Sequence, residues 1–161
     1  MKIIVISDTH ISSPDEKLPE KILAEFAKSD MIIHAGDLVD LSVLEELNKL
    51  KKTTAVQGNM DSPSVRKKLP EKTIIEVNNF RIGLAHGGGS PSKIVDYLKN
   101  IFAHDKVDAI IFGHTHKPFN EVRDGILFFN PGSLMDKVFC DFNSYGILEI
   151  TDKITGRILK I

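Results

Sequence analysis

Short apolar runs alternate with amphipathic stretches along the first half of the chain. Ile3-Ile4-Val5-Ile6 is continuously apolar and closes at Ser7, the pattern of a strand covered on both faces. After a polar loop through Pro14 and Asp15, Leu18, Ile22, Leu23 and Phe26 recur at helical spacing, with Pro19 tolerated in a first turn. Met31-Ile32-Ile33-His34 predicts a second strand. Val43, Leu44, Leu47 and Leu50 then form the apolar face of a second helix, with Ser42 as its cap and Glu45 three residues on. Residues 53–56 predict a third strand. Strand, helix, strand, helix, strand implies a parallel α/β sheet.

The pattern shifts after residue 60. A helical turn over 64–69 stops before Pro70, and residues 73–77 and 81–85 read as a hairpin across Asn78-Asn79. Ser90-Pro91 opens a helix with Ile94, Val95, Leu98, Ile101 and Phe102 on one face, and 109–112 is again a strand. Residues 121–123, 126–129, 145–150 and 158–161 look like short antiparallel strands, with Asn130-Pro131-Gly132-Ser133 as a loop among them. No linker or repeat interrupts the chain, so residues 1–161 are expected to form one domain, with two stacked sheets and helices outside.

Bulk numbers narrow the function. Net charge is −1, from 21 basic and 22 acidic residues, which gives no electrostatic case for nucleic acid or a membrane surface. The one basic run, Arg66-Lys67-Lys68, reads as a solvated face. Cys140 stands alone, so no internal disulfide is expected and a reducing, cytoplasmic setting fits. The first apolar run is too short for a signal sequence, and no stretch approaches the ~20 apolar residues of a membrane span. Composition leaves the oligomeric state open, a dimer included.

Chemistry gathers where the apolar runs end. The first strand exits into Asp8 and His10, the second into Asp37, the third into Asn59. The hairpin strand exits into His86, and the late strand into His114 and His116. In an open α/β sheet, ligands bind beyond the carboxyl ends of the strands, so these seven donors can converge. They are too many for one tetrahedral zinc and suit two cations sharing a bridging carboxylate. Two divalent cations bring +4, Asp8 and Asp37 remove two charges, and the other ligands are neutral, so the site keeps about +2, or about +1 with a bound hydroxide. Such a site attracts phosphate and holds a nucleophile near neutral pH, the chemistry of phosphoester hydrolysis. With no cysteine ligand, Mn, Fe, Ni, Co and Zn all remain open. His34, inside its strand, reads as a core or supporting histidine rather than a ligand, and His104 as a surface residue.

Asp8-Thr9-His10, Gly36-Asp37, Gly58-Asn59-Met60-Asp61, His86-Gly87 and Gly113-His114-Thr115-His116 resemble, in order, the five motifs of the calcineurin-like metallophosphoesterases. The small size and the Asn130-Pro131-Gly132-Ser133 loop are similar to the compact bacterial and archaeal phosphodiesterases, a branch that shares its fold with the retromer scaffold subunit. The resemblance implies a four-layer αββα sandwich of two mixed sheets flanked by helices, with the metal site at the carboxyl ends of the strands. It implies two divalent ions, manganese favoured, the first held by Asp8, His10, Asp37 and His116 and the second by Asp37, Asn59, His86 and His114, with Asp37 bridging. Asp37, Asn59, His86 and His114 are the residues expected to act in catalysis. The implied activity is hydrolysis of a small phosphodiester by a metal-activated hydroxide; the alternative is a protein-interaction scaffold with vestigial metal binding.

Two positions depart from the family pattern. Many relatives carry a histidine where this chain has Met60, and another where it has Gly88, so the histidine that protonates a leaving group has no counterpart here. Asp61 matches the family carboxylate in a supporting role. The motif neighbours Thr9, Ser12, Gly88, Gly89, Ser90, Thr115 and Ser133 are not basic, and Lys117 precedes Pro118. A monoester dianion would therefore leave the site net negative, while a diester would neutralise it, so diesters or cyclic phosphates are the expected substrates.

Overall fold

The computed structural model describes residues 1–13, 15–136 and 138–161; Pro14, in the first polar loop, lies outside the described residues. In chain order the first half holds β1 (Lys2–Ile6), α1 (Glu20–Ala27), β2 (Met31–His34), α2 (Leu41–Leu50), β3 (Thr53–Ala55), α3 (Pro63–Lys68), β4 (Lys72–Val77) and β5 (Phe80–Ala85). A 3-10 turn at Pro91–Lys93 leads into α4 (Ile94–Ile101). Then come β6 (Ala109–Ile111), β7 (Phe119–Arg123), β8 (Ile126–Asn130), β9 (Ser144–Ile150) and β10 (Ile154–Lys160).

β1 shows how one apolar run serves two cores. Ile4 and Ile6 share a core with Ile22 and Phe26 of α1 and with Val43 and Leu47 of α2. Ile3 and Val5 share a different core with Ile82, Leu84, Ile111 and Phe129 of the opposite sheet. Successive side chains of a strand point to opposite faces, so a strand covered on both sides must be apolar throughout. A third core joins Ile110, Phe112 and Phe128 to Val95, Leu98 and Phe102 around α4. The layers are therefore helix, sheet, sheet, helix: the four-layer αββα sandwich expected.

Among the described residues the sheets have five strands each, in the orders β10-β9-β1-β2-β3 and β4-β5-β6-β8-β7. β1, β2 and β3 run parallel, with β9 antiparallel against β1 and β10 against β9. β5, β6 and β8 also run parallel, with β4 and β7 antiparallel at the edges. Both sheets are mixed. The loops leaving their parallel strands meet, because Ser133 Oγ donates to the Asp8 carbonyl (2.7 Å) and Leu134 N–H to the Ser7 carbonyl (3.0 Å).

Three local expectations need correction. α2 is capped by Asp40, whose carboxylate accepts the Ser42 N–H at 2.8 Å; Ser42 itself lies inside the first turn. β8 is not purely antiparallel, since the short turn after β7 returns it alongside β6 in the parallel sense. The last strand spans Ile154–Lys160 rather than 158–161. Its outer residues Thr155 and Arg157 are exposed, so it presents a half-buried alternation in place of an apolar run.

Between the sheets, the fully buried Phe129 ring lies against the backbones of Gly146 in β9 and Gly156 in β10, where an added Cβ would meet its ring carbons. Gly146→Ala should therefore destabilise the protein by roughly 1–3 kcal/mol through overpacking. Adding Phe129→Leu should recover part of that loss. Denaturant unfolding of the two single variants and the double measures the coupling, and strict additivity would show that the ring is not what excludes a side chain at 146.

Candidate metal centre

Four of the seven predicted donors, Asp8, Asp37, His86 and His114, stand within three residues of a strand's carboxyl end and the other three within five, and the backbone there is unusual. Asp8, His10, Asp37, His114 and His116 all have positive φ, between 49° and 67°. The left-handed region costs an L-residue on the order of 1 kcal/mol, and a set of such residues marks a site whose surroundings over-determine it. Glycine permits the approach. A Cβ at Gly113 would collide with Ser7 Oγ and lie 2.8 Å from Asp8 Oδ2.

Two groups of side chains converge. Asp8, His10 and His116 offer ligand atoms within 4.8 Å of one another, as do Asp8, Asp37 and His86. His116 Nε2 lies 3.2 Å from Asp8 Oδ1, and His10 Nε2 lies 3.3 Å from His116 Nε2. His86 Nε2 lies 3.2 Å from Asp37 Oδ2, which is also 3.9 Å from His10 Nε2. Ligand atoms ~2.1 Å from one ion would sit about 3.0–3.4 Å apart, so this spacing fits a shared cation. Asp8 Oδ1, Asp8 Oδ2 and His86 Nε2 are buried without a hydrogen-bond partner among the described residues. Buried polar atoms are rarely left so, and these three face the same space.

Asn59 and His114 sit at the rim. His114 Nδ1 is 3.0 Å from Asn59 Oδ1, and its Nε2 is 3.1 Å from the Gly89 carbonyl oxygen. They line a cavity of about 530 Å³ together with Asp37, His10 and His116.

Neighbouring groups fix the ring orientations. His86 Nδ1 donates to the Ala35 carbonyl (2.7 Å), which leaves Nε2 for the centre. Gly36 N–H donates to His34 Nδ1 (3.2 Å), so His34 Nε2 carries the proton and donates to Thr9 Oγ1 (3.1 Å). His34 is thus a satisfied supporting residue, as its place inside β2 suggested. Asp61 accepts Val39 N–H and Gly58 N–H, both at 2.6 Å, and ties the loops after β2 and β3 together.

Two residues were not legible in the sequence. Asp136 accepts a short hydrogen bond from His116 Nδ1 and is otherwise held by the Val138 and Phe139 N–H groups. It stands 20 residues from His116, outside every motif; the only hint was an acid three residues after Ser133. Arg66, read as part of a solvated face, donates Nε to the Asp61 carbonyl (2.9 Å) and Nη2 to the Asn59 carbonyl, so it braces the loop that carries Asn59. Lys67 and Lys68 are exposed, as expected.

Charge perturbations follow this packing. The Asp8 carboxylate 3.2 Å away, opposed by burial and reinforced by Asp136, raises the His116 imidazole to about 9. Burial pulls the His86 imidazole down, but the nearby Asp37 carboxylate and the Asp8 charge outweigh it and the net shift is upward. Burial pushes the Asp37 carboxyl up, while His86 and the Met60 N–H outweigh it and hold it below the usual range. In the metal-free chain His86 and His116 therefore hold protons more tightly than a free imidazole, and a cation must displace them.

The profile of the calcineurin-like phosphoesterase superfamily domain matches residues 1–153. The chain belongs to this family. A probable metallophosphoesterase of Methanocaldococcus jannaschii is 38% identical over 166 residues, covering all of this chain and 82% of the relative. The structure of an archaeal phosphodiesterase superposes with a TM-score of 0.80 at 27% identity, covering 100% of both chains. Vps29 of Entamoeba histolytica, solved with Zn²⁺, superposes with a TM-score of 0.75 at 25% identity, covering 99% of each chain. The protein is thus a metallophosphoesterase of the α/β sandwich type, and its Asp/His groups are the candidate ligands for the divalent metal that the family uses. Among the described residues no helix is long and apolar enough to cross a membrane.

Burial, opposed by the Asp8 charge, lowers His34 to about 4 from an ordinary 6.5. Between those values the unfolded chain binds a proton that the folded chain does not. This contribution is fully present above pH 6.5 and is lost as pH falls toward 4. In metal-free protein, His34→Gln should lose roughly 2–3 kcal/mol less stability than the parent between pH 7 and pH 4.5. Equal losses by denaturant unfolding would show that His34 does not titrate with folding.

Proposed function

We propose that this metallophosphoesterase hydrolyses small phosphodiesters with two divalent cations, manganese favoured and Ni, Fe, Co or Zn able to substitute. Asp8, His10, Asp37 and His116 would hold the first ion. Asp37, Asn59, His86 and His114 would hold the second, with Asp37 shared. The observation that carries the reading is the unpartnered set of Asp8 Oδ1, Asp8 Oδ2 and His86 Nε2, three buried atoms aimed at one space that a cation would satisfy. The similarity to an archaeal phosphodiesterase supports the substrate class. Residues 1–161 would act as one catalytic domain, since both sheets contribute ligands to the same centre. Unpaired Cys140 suits a cytoplasmic setting.

Ions bound there supply Lewis acidity toward phosphate oxygens and activate water for attack near neutral pH. The chain's own part is to hold that centre rigid and to set its charge. His86 and His116 enter as pre-oriented donors, because Ala35 and Asp136 fix their outer nitrogens. Met60 is 59% exposed at the rim and cannot donate a proton, so the leaving group takes its proton from water or from a group other than residue 60.

Asp136 sharpens the charge argument. With the ions at +4 and Asp8, Asp37 and Asp136 at −3, the centre holds about +1 before water is activated. Among the described residues no lysine or arginine lines the 530 Å³ cavity, although Arg66 and Lys72 line a neighbouring one with Asn59 and His86. A singly charged diester is therefore favoured over a monoester dianion, and Arg66, occupied with backbone carbonyls, does not reverse this. The likeness to Vps29 supports a scaffold as the second reading; the full donor set favours the enzyme, since a scaffold has no need of it.

With Mn²⁺ supplied and metal content verified by elemental analysis, kcat/KM for bis(p-nitrophenyl) phosphate should exceed that for p-nitrophenyl phosphate. A ratio at or below one overturns the charge argument, and absence of both bound metal and turnover favours the scaffold. Asp136→Asn should weaken metal binding about 10- to 100-fold by freeing the His116 ring. Competition against a chromophoric chelator reads this directly, and unchanged affinity would remove Asp136 from the centre.

A further inference from the structure

We propose that Met60 and Phe139 form an apolar subsite beside the centre that selects a flat aromatic ester arm over a small aliphatic one. For the position of the phosphate this rests on the phosphodiesterase reading above; the arm stands on separate observations. Met60 is 59% exposed and Phe139 74%, and of the seven large apolar side chains that stand exposed among the described residues these two line the cavity at the centre. Both line the same 530 Å³ cavity as His10, His114 and His116, a volume within the ~300–1,000 Å³ of ordinary small-molecule sites. The Phe139 ring stands edge-on to the His116 imidazole, with 5.9 Å between centroids. A phosphate held at His116 therefore places an ester arm within reach of that ring.

Both residues are anchored through the ligands themselves. The Met60 N–H donates to Asp37 Oδ1 (2.7 Å). The Phe139 N–H donates to the Asp136 carboxylate (3.0 and 3.1 Å), which also accepts from His116. The backbone hydrogen bonds hold the main chain that presents the ring, an aromatic side chain has only two χ angles to order when a second ring stacks on it, and a thioether packs well against an aromatic face. The remaining polar side chains of the cavity are engaged: Thr9 with His34, Thr115 with the Lys117 carbonyl, and Glu16 with the Ser12 N–H. Recognition of the arm thus falls to apolar contact, which tolerates varied substituents on the ring.

Calorimetry on the manganese-loaded protein with phenylphosphonate and methylphosphonate tests the subsite without turnover. The phenyl compound should bind about tenfold more tightly, consistent with one ring-to-ring contact plus burial. Met60→Ser and Phe139→Ser should each shrink that preference, and the double variant should abolish it. Turnover of p-nitrophenyl phenyl phosphate against p-nitrophenyl methyl phosphate, which share a leaving group, should show the same preference in KM. Equal affinities, or a preference unchanged in the double variant, overturn the subsite. A change of oligomeric state in the variants without a change in selectivity overturns it in favour of a protein-docking rim. Selective binding with no turnover sinks hydrolysis and leaves the subsite standing; turnover without selectivity does the reverse.

Discussion

Asp8 and Asp37 bring carboxylate oxygens within 4.8 Å of one another and of His86, and both carboxylates are buried. Two anions that close in a low dielectric repel strongly, and the imidazoles of His86 and His116 offset this while they hold protons. The raised pKa of His116 and of His86 shows the metal-free centre resorting to that remedy. A bound divalent cation would remove the repulsion and release those protons. Much of the local structure follows from this one demand: the left-handed backbone at five candidate ligands, the glycine at 113, and the partners on the outer ring nitrogens.

The sandwich meets the demand by stacking two parallel sets of strands with their carboxyl ends at one edge. Neither sheet holds all the candidate ligands. The first carries Asp8, His10, Asp37 and Asn59; the second carries His86, His114 and His116. The Ser133 bond to the Asp8 carbonyl and the inter-sheet core around Phe129 keep the two contributions in register. A strained loop residue is affordable only where its flanking strand is buried on both faces, which is why the ligands follow the most apolar runs of the sequence.

That coupling also explains what the sequence disclosed. β1 and β2 are short, apolar except for Lys2 and His34, and followed within three residues by donors, so strand and site were legible together. β10 and the parallel pairing of β8 were not, because a half-exposed alternation and a tertiary neighbour leave no mark in local composition. Ser42 misled as a cap because Asp40 offered its carboxylate one turn position earlier. Asp136 was invisible for a different reason: its role depends on a fold that brings residue 136 against residue 116, and no spacing rule encodes such a contact.

Asp136 joins two properties that would otherwise be separate. One carboxylate accepts from His116, a candidate ligand, and from the backbone of the turn that presents Phe139. In the metal-free chain a protonated His116 neutralises it; with a cation in place, His116 becomes a neutral donor and Asp136 keeps its full negative charge toward the turn's N–H groups. Hydrogen bonds from neutral donors to a full carboxylate are stronger than those to one already sharing a cationic partner. Metal capture would therefore strengthen the bonds from the Val138 and Phe139 N–H groups, and those bonds would hold Asp136 and so His116 in a ligating orientation. By linkage the two effects would be reciprocal, so that the rim at Phe139 and the affinity of the candidate centre would be coupled.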